Sequence, residues 1–257
     1  MLAKDPIVLP LNDWPSQRLL SKIVGDKIIQ LGYPVEYMPI SYINQIGALR
    51  QGYVHFQVEM WQTYGDGDLS QAIKKGYIED MGLHTANGRE DWWYPDYVED
   101  FCPGLPDWQA LKKCSDIFMD DDHGNKGVYY TGPWNYRDAD MIRSLGLNFT
   151  IERLDNADQL WQKLHQAEKI KKPIILLHWS PNWIDMHIEG HFIEFPDFEV
   201  MCEKDPSWGV NKDMLYDCGN PKVTHIKKAA WPGVKQKWPC LYQLMKRINF
   251  TQSLIHI

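Results

Sequence analysis

Four tryptophans, Trp14, Trp61, Trp134 and Trp179, recur at one kind of place in this chain, each close behind a strand-like run. Ile7-Val8-Leu9-Pro10-Leu11 precedes Trp14, Val54 to Val58 precedes Trp61, Gly127 to Tyr130 precedes Trp134, and Ile174-Ile175-Leu176-Leu177 precedes Trp179. In open α/β sheets ligands bind beyond the carboxyl ends of the strands, so large rings placed there read as walls of a site. For any one ring the plainer reading is that it packs a helix onto the sheet. Recurrence at four equivalent places is harder to assign to packing alone.

The chemistry such rings support is recognition of a diffuse cation. An aromatic face is the negative end of a quadrupole, and a methylated ammonium or sulfonium head is apolar in surface yet positive in charge. At ~0.5–2 kcal/mol per wall, three or four walls supply roughly 2–8 kcal/mol, against about 8 for a micromolar complex. Association has its own entropic cost, so buried methyl area or one charged contact must add to the rings. Glu90, in the polar segment Asn87 to Asp91 ahead of Trp92, is the candidate for that charge, its alternative being a solvated loop carboxylate.

Other chemistry is thinly represented. Asp120, Asp122 and Asn125 imitate a calcium loop but lack the glycine and the bidentate glutamate at the later spacings, so a solvated acidic turn is the first reading and calcium the second. No other cofactor is expected. His178 beside Trp179 reads as a hydrogen-bonded structural histidine or as a donor to an anionic end of the ligand. The sequence holds no GxSxG, HExxH, P-loop or dinucleotide fingerprint, and no enzyme is expected.

The elements that must position the rings alternate between strand and helix. Strands are expected at 7–11, 35–38, 54–58, 127–130, 149–152 and 174–177. Helices are expected through about Leu31 with Asn12 or Asp13 as cap, at 43–50, 69–75, from Asp107 to about Lys113, after Tyr136 to about Leu145, at 157–170 and at 242–248. The run 87–91 reads as a polar loop. Such alternation gives an α/β class with partly parallel sheets.

Composition narrows the function further. Net charge is −7 without a basic stripe, which argues against nucleic acid as partner. Twelve tryptophans and 13 tyrosines in 257 residues exceed what packing needs. No apolar run approaches a membrane span, and the start lacks the apolar core of a leader. Cys102 with Cys114 and Cys202 with Cys218 flank short loop-like segments, leaving Cys240 over. Two local disulfides in an oxidising compartment fit that spacing, the alternative being five reduced thiols in the cytosol.

Together these residues resemble the substrate-binding proteins of ABC importers for glycine betaine and related osmolytes. The resemblance rests on Asn12-Asp13-Trp14, Leu31-Gly32-Tyr33, Glu59-Met60-Trp61, Tyr94-Pro95-Asp96-Tyr97-Val98, Gly132-Pro133-Trp134 and Trp179-Ser180-Pro181-Asn182-Trp183. Cys102 to Trp108 and Phe195-Pro196 before Cys202 look most like the branch that binds trimethylamine N-oxide. It implies a two-lobed periplasmic binding protein fold, type II-like, with the ligand in the cleft between lobes; we expect lobe 1 at 1–96 and 199–257, lobe 2 at 97–198. It also implies that Trp61, Trp134 and Trp179 stand at box positions, that Trp14 matches a first-loop aromatic, and that the segment holding Glu90 and Trp93 supplies an acidic or aromatic contact. The Gly-Pro-Trp spacing departs by one residue from that branch, which makes Tyr136 an alternative wall to Trp134. The expected partners are a small methylated onium ligand and a membrane permease, and the expected protein is an extracytoplasmic monomer whose leader has been removed. A carbohydrate-binding module or glycoside-active enzyme with tryptophan platforms is the rival reading.

Overall fold

The computed structural model describes residues 5–62, 67–134 and 136–251; Met1 to Lys4 and Asn135 of the expected turn lie outside these. In chain order the elements are β1 (Ile7–Leu11), α1 (Pro15–Gln30), β2 (Val35–Pro39), α2 (Gln45–Gln51), β3 (Phe56–Trp61), α3 (Gly67–Lys74), β4 (Glu79–Pro95), α4 (Leu111–Cys114), β5 (Gly127–Thr131), α5 (Asp138–Leu145), β6 (Phe149–Arg153), α6 (Ala157–Lys169), β7 (Ile175–Ser180), β8 (Gly190–Phe192), β9 (Thr224–Ala230), α7 (Val234–Lys237) and α8 (Pro239–Arg247). The chain forms two compact units, 1–87 with 224–257, and 88–223.

In the first unit β1 and β2 pair in parallel, and β3 runs antiparallel to β9, which is hydrogen-bonded to β4. Leu20, Val24 and Ile28 recur at one-turn spacing along α1 and bury against Ile7, Leu9, Phe56 and Val58. α2 ends on Gly52, whose φ of 74° is the left-handed cap that glycine adopts without strain. Lys228 of β9 is buried and donates to the carbonyls of Met245, Lys246 and Ile248, satisfying the exposed end of α8.

In the second unit the carboxyl half of β4 runs antiparallel to β7, β7 and β6 flank β5 in parallel, and β8 adds to β4. α5 and α6 are the crossovers that parallel neighbours require. Disulfides join Cys102 to Cys114 and Cys202 to Cys218, while Cys240 is free and exposed.

Several expectations change. The segment 87–91 is not a loop: it lies inside β4, where Arg89 to Asp91 pair with β7 despite their polar side chains. β7 continues through His178, Trp179 and Ser180, because Asp91, Glu90 and Arg89 extend its ladder. Neither Asn12 nor Asp13 caps α1. Trp14 holds that position, Asp13 accepts from the Tyr42 amide, and Asn12 donates to Ile40 O. β9 and α7 had no sequence signal. The units divide at 87/88 and 223/224 rather than at 96/97 and 198/199. Residues 88–95 are held by β7 and β8, and the second disulfide segment bonds to α5, where Ser144 Oγ donates to Tyr216 O at 2.8 Å and Asn211 Nδ2 to Ser144 O at 2.7 Å.

Candidate functional site

In the first unit two of the expected rings share one carboxylate. Alternation along β3 puts Glu59 and Trp61 on the same side of the strand, and Trp14 enters from the start of α1, where Pro15 at the first helical position sets the backbone. Glu59 Oε1 accepts from Trp14 Nε1 at 2.7 Å, Trp61 Nε1 at 2.8 Å and Ser16 Oγ at 2.8 Å. The side chain is 0% exposed, and its Oε2 has no hydrogen-bond partner among the described residues. Burial pushes the Glu59 carboxyl above the usual range, while its three donors pull the other way. Trp14 is buried with Tyr42 against it edge-on at 6.3 Å; Trp61 is only half-buried.

In the second unit Glu90 stands opposite Trp179 in the β4–β7 ladder. It is 5% exposed, so it is neither a loop residue nor solvated. Tyr136 donates to its Oε2 at 2.5 Å, and Asn220 Nδ2 donates to its backbone oxygen at 2.9 Å. The Trp134 ring meets Trp179 edge-to-face, with centroids 5.5 Å apart at 86°, and Trp161 of α6 tilts onto Trp179 at 4.9 Å. Trp134 folds back over Gly132, where any Cβ would overlap its six-membered ring, and Arg153 Nη1 holds its carbonyl at 2.9 Å. Glycine is therefore required at that turn for the ring to lie as it does.

The rest of the expected set separates. Trp93 is buried, with His178 at 4.8 Å, and its ring covers Gly190. His178 is enclosed, its Nε2 2.5 Å from Asp185 Oδ1, which suits the structural reading. Asp120 turns inward, Oδ1 accepting from the amides of Asp122 and His123 and Oδ2 from the Tyr130 hydroxyl. Trp14 and Trp134 stand after strands as expected, whereas Trp61 and Trp179 lie within the strand ends themselves.

Three residues were missed. Glu59 could have been found from its spacing to Trp61, because an acid two residues before a ring on a strand shares its side. Trp161 carried no signal beyond an apolar helix position. Trp92 stacks on Tyr129 at 4.0 Å and donates from Nε1 to Asp138 at 2.8 Å. Burial pushes Asp138 up to about 6 and neighbouring Asp91 up to about 7.

Comparison with known proteins bears on this arrangement. The family model described as the substrate binding domain of an ABC-type glycine betaine transport system matches residues 5–256. A trimethylamine N-oxide-binding protein of Pelagibacter ubique (strain HTCC1062) is 32% identical over 263 residues, covering 98% of this chain and 81% of that protein. Among solved structures, a glycine betaine/L-proline-binding protein of Borrelia burgdorferi superposes with a TM-score of 0.74 at 13% identity, covering 98% of this chain and 84% of that one. An ABC-transporter choline-binding protein in complex with choline gives 0.75 at 13%, covering 98% and 80%. A lactococcal protein in its closed form with glycine betaine gives 0.70 at 15%, covering 98% and 87%. At these identities the solved structures establish the fold, the two-lobed one of periplasmic substrate-binding proteins.

Proposed function

Because the chain belongs to the family of substrate-binding domains of ABC-type glycine betaine transport systems, we propose that it captures a small methylated onium osmolyte for a membrane permease. The family is one of binding proteins, not enzymes, and its members work outside the cytoplasmic membrane; among the described residues no helix is long and apolar enough to cross one. The finer reading is ours. The ligand is trimethylamine N-oxide, glycine betaine or a close relative such as choline. The indoles of Trp14, Trp61, Trp134 and Trp179 contact its methylated head, and Glu90, oriented by Tyr136, contributes negative charge. Trimethylamine N-oxide comes first because the relative at 32% identity is named for it. The protein acts as a periplasmic monomer.

The observation that carries this reading is Glu59 with Trp14 and Trp61: a buried carboxylate anchors two rings by their N–H edges, an arrangement suited to an electron-rich site. Nothing comparable favours the carbohydrate reading, since a sugar needs many polar partners around one or two platforms. Isothermal titration with trimethylamine N-oxide, glycine betaine, choline, dimethylsulfoniopropionate and a set of hexoses tests it. Binding of an onium ligand at micromolar Kd is expected; binding of hexoses alone would overturn the proposal.

A further inference from the structure

We propose that Glu59 is the positioning residue of the first unit's aromatic pair, and that its carboxyl, which has no cationic partner among the described residues, is completed as a carboxylate by the cationic head of the ligand. This rests on the onium reading of the site.

The first half follows from geometry. A lone indole at the end of a strand can turn about its side-chain bonds, and each such freedom lost on binding weakens the complex. Here both Nε1–H groups end on the same oxygen, Glu59 Oε1, at 2.7 and 2.8 Å. One carboxylate thus fixes two rings relative to each other. It holds them by their edges, so it takes up neither π face.

The second half follows from charge. Glu59 is fully buried, yet among the described residues no lysine, arginine or histidine pairs with it, and Oε2 has no partner. Buried carboxylates are normally matched by a cation, because the desolvation of an unmatched one is costly. What favours ionisation is three donors on one oxygen, two of them at the first turn of α1, where the helix dipole is positive. An N–H that donates to an anion leaves its ring more electron-rich, and the attraction between ring face and cation is electrostatic. A cation at these rings therefore meets both an enriched π surface and the field of the carboxylate behind it in a weakly screening interior. Burial by itself holds the Glu59 carboxyl above the usual range, and a cation seated at the rings opposes that shift and favours the carboxylate.

That arrangement trades stability for affinity, which separates it from plain structural support. Glu59→Gln keeps a carbonyl acceptor for the indoles and removes the charge. In the absence of ligand its melting temperature should equal or exceed that of the wild type, while its Kd for the onium ligand that the wild type binds best rises by about tenfold or more. Glu59→Leu, which keeps neither acceptor nor charge, should bind more weakly still. Unchanged affinity in Glu59→Gln, or affinity and melting temperature falling together, would overturn the role of Glu59 while leaving the onium reading intact. A wild type that binds none of trimethylamine N-oxide, glycine betaine and choline overturns both.

Discussion

The hydroxyl of Tyr136 donates to Glu90 Oε2 at 2.5 Å, joining a residue just before α5 to the carboxyl half of β4. A charge-assisted bond of this length orients a buried carboxylate that would otherwise swing. Tyr136→Phe removes the donor and keeps the ring. We expect Kd for the onium ligand to rise about tenfold, in line with the ~1.5–3 kcal/mol of a hydrogen bond to a charged group. Calorimetry checks this, and an unaltered Kd would remove the Glu90–Tyr136 pair from the site.

Trp61 offers the cleaner test of the rings, being half-buried where Trp179 is enclosed by Trp134 and Trp161. Trp61→Phe and Trp61→Leu both lose the bond to Glu59, so the difference between them isolates the π face. Leu should bind about twofold to thirtyfold more weakly than Phe, the range that ~0.5–2 kcal/mol of cation–π attraction spans. Equal affinities would mean that the site is merely hydrophobic. Trp179→Ala, by contrast, should cost about 3–5 kcal/mol of stability as well as affinity, because it opens a cavity in the second unit.

Asp91 and Asp138 make stability depend on pH in an unusual direction. Burial raises them to about 7 and about 6 in the folded protein, against 3.8 for a free aspartate. The folded state thus holds protons that the unfolded chain has already released. Their contribution is complete below the ordinary aspartate range and is lost as pH rises through the folded values. Thermal unfolding of Asp91→Asn/Asp138→Asn should be flatter than wild type between about pH 4 and pH 7, with the variant gaining on the wild type as pH rises through that window. A parallel pair of curves would show that the two carboxyls ionise normally.

The two disulfides should differ in their effect on binding. With sequence separations of 12 and 16, each is worth about 3 kcal/mol by loop closure. Only the second lies beside the proposed contact residue Glu90: Asn220, just past Cys218, donates to Glu90 O at 2.9 Å and, from its backbone, to Asp91 Oδ2 at 3.2 Å. Replacing Cys202 and Cys218 by serine should lower both melting temperature and onium affinity, whereas replacing Cys102 and Cys114 should lower the melting temperature alone. Mass spectrometry of unreduced peptides checks the pairings.

Sequence alone determined the α/β class, the absence of catalytic motifs and the unusual supply of strand-end tryptophans. Apolar periodicity, turn residues and ring counts are local properties that survive without the fold. Trp14 and Trp134 were legible because each follows a clear strand and turn, and the cysteine pairs because short loops favour local closure. What the tertiary structure decided are the matters of pairing between distant segments. Glu90 became a buried strand residue because β7 completes its ladder, which no property of Asn87 to Asp91 foretells. Trp93 is covered because β8 brings Gly190 under its ring. Glu59 acquired its partners because α1 delivers Trp14 and Ser16 to the end of β3, more than 40 residues away by sequence separations of 45 and 43. A buried polar group takes its role from whatever donors the fold brings to it, and those donors are set by three-dimensional proximity that local sequence does not encode.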